Sequence, residues 1–326
     1  MNTVLNFRII ISRPNILHKL LRKKKQASTP SLIDLLRQTT DRLRPLCSNS
    51  THKNRVTAVN NFEKYLLQAS RNDSPITVRN ITAADVKAYE LWAFEQGFNE
   101  GYISLNMRSL RVLFNHINNS GTELFKLVRT SNCQTKKRAV SEDTIKQIRQ
   151  LKLQEGTNLE LARDIFLFCF HGMGIPLIDA IQLKKSQLKG NEITYHRQKT
   201  KRMVTITVNE ELKDILNHLA PKDSPYLLPL LTTEDRTEAR RQYKRFYQRY
   251  MRALAKLETM LDADCHLTSY TPRHSWASIA YSRGVDINII AQALGHANSN
   301  ITYLYIKEIN NFLLKKANDI VTKAVM

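Results

Sequence analysis

The stretch HLTSYTPRHSWASIAYSRGVDINIIAQALGHANSNITYLYI, residues 266–306, is the most informative part of the chain. After Arg273, apolar residues recur at helical spacing, and a second helical pattern runs as far as Gly295. Glycine readily adopts the left-handed conformation that ends helices, so His296 is predicted to lie in a turn. The polar residues that follow suit the start of a third helix, which carries Tyr305.

Two motifs in this stretch resemble the signature of the tyrosine recombinases, the phage integrase family of site-specific DNA strand-exchange enzymes. The closing motif of that family is Leu-Gly-His, a polar turn, a Thr and then a Tyr. Here it is matched by Leu294-Gly295-His296, Thr302 and Tyr305. The upstream motif is His-x-x-Arg followed by a second His, an aromatic residue and an Ala. Residues 270–277 match it except at the first position, where Tyr replaces His.

The charge of the whole chain indicates a polyanionic partner. Its 50 Lys and Arg residues against 29 Asp and Glu give a formal net charge of +21. Such a charge favours nucleic acid through the release of condensed counterions. An acidic membrane surface is the rival partner, but the basic residues are spread along the chain rather than gathered beside one apolar helix. We therefore expect double-stranded DNA as the partner and no membrane association.

Length and cysteine usage predict a cytoplasmic protein of about two domains. The chain has 326 residues, and a domain has roughly 150. No apolar run approaches the ~18 residues of a membrane span. Scattered cysteines indicate neither a zinc site nor a disulfide framework, and they fit a reducing cytoplasm. We expect no cofactor and no metal. The four cysteines, which have no C-x-x-C spacing, are Cys47, Cys133, Cys169 and Cys265.

Periodicity divides the first part of the chain into three segments. Residues 1–30 are a basic N-terminal arm, either solvated or gripping phosphates. Residues 31–126 carry helical patterns, one of them opened by a capping-box sequence at Thr82. Residues 127–139 lose the periodicity and are interpreted as a linker. The linker cations expected to contact DNA phosphates are Lys136, Lys137 and Arg138.

The last segment, residues 140–326, is predicted to be helical with one small sheet. Apolar helices are predicted over 159–169 and 175–183. The runs EITYHR and MVTITV alternate and are rich in β-branched residues, which predicts a β-hairpin. The C-terminal helix over 308–326 is amphipathic, and its apolar face could pack on its own domain or on a neighbouring protomer.

A basic helix is predicted over residues 236–256. Its tyrosines recur at helical spacing, which is typical of core packing. Its cations have a single acid among them, Glu238, which favours contact with DNA phosphates. The cations interpreted as DNA contacts are Arg240, Arg241, Lys244 and Arg245.

The resemblance implies both a fold and a reaction. The fold is mainly α with a small antiparallel β-sheet, and it combines a helical core-binding (SAM-like) domain with a tyrosine-recombinase catalytic domain. The reaction cuts and rejoins DNA through 3′-phosphotyrosine intermediates, without metal or ATP, in a tetramer that holds two DNA sites. The resemblance does not distinguish integration from excision, inversion or resolution.

That chemistry explains which residue types are needed. A Tyr hydroxyl stores the energy of the broken bond, preplaced cations stabilise the transition state, and the leaving 5′-oxygen needs a proton. Tyr303 is a competing nucleophile, but the family spacing favours Tyr305. The resemblance implies these roles: nucleophile Tyr305, phosphate clamp Arg273, phosphate donor His296, general acid Lys199, supporting group His274, and Tyr270 in place of the first family His.

One family position is not matched. The family's first arginine lies in a Gly-x-Arg-x-x-Glu/Asp turn, and the corresponding sequence here is HGMGIPLIDA. Asp179 fits the acidic position, but Pro176 replaces the arginine. Two hypotheses follow: an active recombinase that uses another cation, or a DNA-binding protein on the same scaffold that has lost catalysis. The candidate cations are Arg163, Arg197 and Arg202, and the sequence does not distinguish among them.

Overall fold

The computed structural model describes residues 31–69, 76–131, 138–221, 223–262, 265–296, 299–303, 318 and 321–323. The chain divides into two compact units, 1–134 and 135–326. The described residues are mostly helical, with a three-stranded antiparallel sheet in the second unit, so the predicted fold class is confirmed. Among the described helices, none has the length and apolar character needed to cross a membrane.

Several predicted features lie outside the described residues. They are the N-terminal arm, Lys136 and Lys137 of the linker, Tyr305, and most of the C-terminal helix. The domain bounds 31–126, 127–139 and 140–326 stay predictions.

In the first unit, the described helices pack around an aromatic core. Two of them begin with a capping box, at Ser31 and, as the sequence predicts, at Thr82. Phe62, Tyr89 and Phe114 are almost fully buried between the helices. The helices are α1 (Leu32–Arg42), α2 (Asn49–Ala69), α3 (Ala83–Glu95), α4 (Glu100–Asn118) and α5 (Gly121–Leu124), with a 3-10 turn at Arg44–Leu46.

The second unit combines helices with the sheet, whose strands follow one another in the order β1-β2-β3. The strands are β1 (Leu188–Lys189), β2 (Glu192–His196) and β3 (Met203–Thr207), and the last two form the predicted hairpin. The described helices are α6 (Glu142–Gln150), α7 (Asn158–His171), α8 (Leu177–Ala180), α9 (Glu210–Leu219), α10 (Arg236–Glu258), α11 (Thr271–Ser282), α12 (Ile287–Ala293) and α13 (Ser299–Tyr303).

Helix α7 lies at the centre of this unit. Ile165, Phe166 and Phe168 are fully buried, and the helix packs against α9, α10 and α11. Strands β2 and β3 add Ile193 and Ile206 to the same core, because every second residue of each strand faces inward. The turn that follows α7 is therefore held directly against the start of α11.

The helix predicted over 175–183 is wrong except for one turn, α8. Pro176 has an extended backbone and precedes this turn, which ends at Ala180. Beyond it, the backbone of residues 183–185 pairs with residues 225–227 instead of continuing the helix, through Lys185 N to Pro225 O and Leu227 N to Leu183 O, both at 2.8 Å. No sequence pattern indicates this distant pairing or the short strand β1.

Candidate active site

Arg273 is the most deeply buried cation of the site. It lies in the first turn of α11, which Pro272 helps to start, and only 2% of it is exposed. Its Nη1 donates to the Gly174 carbonyl at 2.8 Å, and its Nη2 donates to the Leu294 carbonyl at 2.6 Å. Gly174 has a φ of +68°, and a Cβ there would lie 3.0 Å from the Arg273 Cα. The turn after α7 therefore needs a glycine to approach Arg273 this closely.

His296 continues the hydrogen-bonded chain from Arg273. Its Nε2 lies 2.9 Å from Arg273 Nη2, and its Nδ1 lies 2.8 Å from Thr302 Oγ1. A guanidinium can only donate, so Nε2 accepts and the ring proton lies on Nδ1, which donates to Thr302. Both His296 and Thr302 are buried. The buried threonine thus fixes the orientation of the imidazole, while Arg273 sets its tautomer.

The environment of His296 keeps the ring neutral. Burial, and then the positive charges of Arg273, Arg197 and Lys199, lower the pKa of His296 to about 3. Both effects disfavour the protonated ring, which would add a cation to a group of cations. At neutral pH, His296 is therefore uncharged and interacts through hydrogen bonds.

The connection between β2 and β3, residues 197–202, holds the Leu-Gly-His turn from the other side. Three of its side chains donate to three consecutive backbone carbonyls of that turn. This contact joins segments almost a hundred residues apart, and it sets the hairpin beside the imidazole. Lys199 lies within this connection and is exposed. The bonds are Arg197 Nη1 to Leu294 O at 2.6 Å, Thr200 Oγ1 to Gly295 O at 3.4 Å, and Arg202 Nη1 to His296 O at 2.5 Å.

Gly295 allows the two segments to meet. Its φ of +63° is the left-handed conformation that the sequence predicts. A Cβ at this position would lie 2.6 Å from Arg197 Cδ, closer than real Cβ contacts, and a tight 3.0 Å from Val204 Cγ2. The glycine is therefore required by the close approach of Arg197 as well as by the turn.

The three candidate replacement cations have different surroundings. Arg197 is 7% exposed, and its Nε donates to Asp179 Oδ2 at 3.3 Å. Arg163 bonds Asp164 at 2.7 Å and the Leu151 carbonyl at 3.0 Å, so it belongs to the other end of α7. Arg202 is exposed and holds the His296 carbonyl.

The remaining predicted catalytic residues are placed as follows. Tyr270 precedes α11 and is 44% exposed, and His274 is buried in the first turn of α11. Tyr303, the competing nucleophile, ends α13 and is 48% exposed. The described structure thus brings Arg273 and His296 together with the hairpin connection that carries Lys199.

The basic helix α10 is confirmed, and its cations differ in their pairing. Arg241 and Arg245 both contact Glu238, at 3.4 and 2.8 Å, whereas Arg240 and Lys244 are exposed. These exposed pairs are weak and leave the helix strongly positive. Arg138 of the linker is also exposed. Beside α10 is an open groove of about 500 Å³, lined by Arg245, Arg249 and Arg252. The sequence analysis predicts Arg245 as a DNA contact but not Arg249 or Arg252.

Within the described ranges, one group of side chains has the spacing of metal ligands. Oxygens of Glu160 and Asp164 on α7 and a ring nitrogen of His218 on α9 lie within 4.8 Å of one another. Arg163 already binds Asp164 here, so a cationic side chain occupies part of the site. The helical spacing of the two acids is visible in the sequence, but the approach of His218 is not.

Comparison with known proteins relates the chain to one family. The model of the phage integrase family matches residues 138–311. The tyrosine recombinase XerC of Rickettsia canadensis is 24% identical over 265 residues, which are 77% of this chain and 85% of that protein. The XerC of Rickettsia felis is 23% identical with the same coverage.

Solved structures share the fold. A lambda integrase dimer bound to a COC′ core site superposes with a TM-score of 0.63 at 15% identity, covering 86% of this chain and 79% of that one. The Tn1549 transposon integrase in complex with transposon right end DNA gives 0.62 at 14% identity, covering 90% of this chain and 100% of that one. At these identities the likeness concerns the fold alone.

Proposed function

Because the chain belongs to the phage integrase family of tyrosine recombinases, we propose that it cuts and rejoins DNA at specific sites through a phosphotyrosine intermediate. Membership of this family supports site-specific recombination as the general reaction. The observation that best supports the finer mechanism is the hydrogen-bonded chain of Arg273, His296 and Thr302. It holds a cation and a neutral imidazole beside the connection that carries Lys199.

In the proposed reaction, the hydroxyl oxygen of Tyr305 attacks the scissile phosphorus and its proton passes to solvent. A Tyr–phosphate bond forms while the bond to the 5′-oxygen breaks, and Lys199 gives this leaving oxygen its proton. The number of phosphoester bonds is unchanged, so rejoining needs no ATP. Tyr270 and His274 support the site as in the family motif, in which Tyr270 takes the place of a histidine.

Arg273 is proposed to stabilise the negative charge of the transition state. Its burial and its bonds to the Gly174 and Leu294 carbonyls fix the guanidinium before substrate arrives, which is the condition for electrostatic catalysis. His296 would donate to the phosphate from Nε2 once the ring proton moves there. Thr302 permits this change, because its hydroxyl can accept from Nδ1 or donate to it.

Duplex DNA is the proposed substrate, and a tetramer on two sites is the proposed assembly. The net charge of +21 supports the first. The similarity to lambda integrase, which has been solved as a tetramer bound to a Holliday junction, supports the second. The proposed phosphate contacts are Lys136, Lys137, Arg138, Arg240, Arg241, Lys244 and Arg245.

The alternative function is a DNA-binding protein without catalysis. Pro176 favours it, because this residue replaces the family's first arginine. The presence of Lys199, Arg273, His296 and Tyr305 in one chain favours the enzyme, since binding alone does not require that set.

A suicide-substrate assay distinguishes the two functions. Nicked duplexes from DNA flanking the coding sequence are incubated with protein and a metal chelator, and covalent adducts are resolved on denaturing gels. We expect an adduct with the wild type and with Tyr303→Phe, the matched control, but none with Tyr305→Phe. Sequence-selective binding without any adduct would refute catalysis and establish the alternative.

A further inference from the structure

We propose that Arg197 is a catalytic residue that supplies the phosphate-clamping cation absent at Pro176. This inference rests on the proposed recombinase function and assigns one more residue to the same site. Losing one preplaced donor typically costs ~100-fold or more in rate. An active enzyme with Pro176 therefore needs a cation from another segment that reaches the same phosphate.

Arg197 reaches the position that a second clamp requires. Its Nη1 and the Nη2 of Arg273 each lie 2.6 Å from the Leu294 carbonyl oxygen. Two nitrogens that share an acceptor cannot be farther apart than twice that distance. The two guanidinium groups therefore lie close enough that one phosphate in the space beside them could accept from both through different oxygens.

The charges around this space are not balanced. The described charged side chains bonded to Arg197, Arg273 or their shared carbonyl include a single carboxylate, Asp179, which is 3% exposed. Among the described side chains, two buried guanidinium groups are matched by one carboxylate, and burial raises the cost of that positive surplus. A bound phosphate dianion at the transition state would neutralise that surplus.

Asp179 orients Arg197, and this explains how an arginine from the β2–β3 connection can take the role of the arginine absent at Pro176. Its Oδ2 accepts from Arg197 Nε at 3.3 Å, and its Oδ1 accepts from the backbone N–H of Gln198 at 3.1 Å. The acid that follows Pro176 thus orients an arginine from the β2–β3 connection. Gly295 keeps the path open, because a Cβ there would overlap Arg197 Cδ.

The two other candidate cations are placed less favourably. Arg163 is shared among Asp164, Glu160 and the Leu151 carbonyl, so acids already balance its charge. Arg202 is exposed and bonds the carbonyl of His296 rather than that of Leu294. Of the three, only Arg197 shares an acceptor with Arg273.

The first test is single-turnover cleavage of the suicide duplex by Arg197→Gln and by a matched control. Arg163→Gln removes another carboxylate-paired arginine, one that is partly buried, so it controls for the loss of such a pair. We expect Arg197→Gln to cleave ~100-fold more slowly than the wild type. Arg163→Gln, assayed below its melting temperature, should stay within about threefold. DNA affinity is measured separately, so that a binding defect is not counted as a catalytic one.

Two further measurements separate catalysis from folding. In the double variant Pro176→Arg/Arg197→Gln, an arginine at the family position should restore cleavage by about tenfold or more over Arg197→Gln alone. A substrate with a neutral methylphosphonate at the scissile position carries one charge less, so on it the ratio of wild-type to Arg197→Gln rates should fall to about threefold or less. A purely structural role for Arg197 would give the same ratio on both substrates.

The outcomes are distinguishable from failure of the proposed function. If the wild type forms no adduct with a duplex that it binds selectively, the recombinase function itself is wrong, and this inference with it. If the wild type cleaves and folded Arg197→Gln cleaves within about threefold of it, only the assignment of Arg197 is overturned. An unchanged ratio on the methylphosphonate also overturns it.

Discussion

The Arg197–Asp179 pair is buried and the Arg163–Asp164 pair is partly buried, and among the described side chains opposite charges are in surplus around the two. Arg273 joins the first pair through the shared Leu294 carbonyl, so cations outnumber the carboxylate. Glu160 joins the second pair, so carboxylates outnumber the arginine. A surplus of cations suits a phosphate, whereas a surplus of carboxylates suits a proton or another cation. Ion pairing alone therefore does not distinguish an arginine suited to bind phosphate from one that is not.

The largest expected effect is on stability and concerns the second pair. Arg163→Gln leaves the buried Asp164 without its 2.7 Å partner, which should lower the free energy of unfolding by about 3 kcal/mol. Urea unfolding of the variant and the wild type measures this difference. Cleavage by the folded variant should be unchanged, and a parallel loss of cleavage would mean that the two pairs do not differ in function.

The next largest effect is a loss of cleavage rate on substitution of Gly295, which lies against Arg197. Gly295→Ala places a Cβ 2.6 Å from Arg197 Cδ and should slow cleavage by ~100-fold, since a displacement of about 1 Å in a site can cost this much. Gly190→Ala is the matched control, because Gly190 also has a positive φ of +57° but no atom within 4 Å of the added Cβ. Equal losses of cleavage in the two variants would attribute the effect to backbone strain.

A smaller effect is expected at Thr302. Thr302→Val removes the hydroxyl that bonds His296 Nδ1 while keeping the side-chain volume, and it should slow cleavage by about tenfold, the effect of one unsatisfied buried donor. Thr302→Ser retains the hydroxyl and should restore most of the rate. Nitrogen-15 NMR of the imidazole provides a direct measurement, since the Nδ1–H tautomer should dominate in the wild type. A valine variant as active as the serine variant would contradict this role.

The neutral state of His296 also predicts a pH dependence of stability. Its pKa is about 3 in the folded protein and near 6.5 when exposed, so the unfolded chain binds the extra proton. Stability from this group is full above pH 6.5 and is lost as the pH falls toward 3, by at most about 1.4 kcal/mol per pH unit. Melting curves of the wild type and His296→Gln should therefore converge as the pH falls from 7 to 5. A gap that does not narrow would mean that His296 becomes protonated in the folded protein.

The sequence predicts the local features of this site and misses the contacts between its segments. The Thr82 capping box, the hairpin strands and the left-handed Gly295 depend on neighbouring residues, so short-range patterns predict them. The bond between Arg197 and Leu294 joins positions that no periodicity relates. The same limit explains why Arg163, Arg197 and Arg202 remained equivalent candidates until their partners were known.

Local patterns also fail where a distant partner competes for the backbone. The apolar run over 175–183 has helical spacing, yet its last residues bond the segment 225–227. On α10, the sequence suggested cations with almost no acid to pair with, but Glu238 contacts both Arg241 and Arg245. In both cases a contact that the spacing does not reveal decided the outcome.

The smallest expected effect is at His218, the most solvent-exposed of the three neighbouring side chains Glu160, Asp164 and His218. Its Nε2 lies 3.6 Å from Glu160 and 3.5 Å from Asp164, but 44% of its side chain is accessible, so water screens both interactions. His218→Gln should therefore change the free energy of unfolding by less than about 1 kcal/mol and leave cleavage unchanged. His266→Gln is the matched control, because His266 is also exposed and paired with one acid, Glu258.

The His218→Gln variant also shows whether Glu160, Asp164 and His218 bind a metal ion. If these three side chains bind no ion, adding zinc should shift the melting temperatures of the wild type and of His218→Gln equally, through weak contacts elsewhere on the surface. A rise of several degrees in the wild type that His218→Gln abolishes would instead mean that Glu160, Asp164 and His218 bind the ion together. In that case the two ion pairs would differ in the charge of the ligand they attract, a cation at Arg163–Asp164 and a phosphate at Arg197–Asp179.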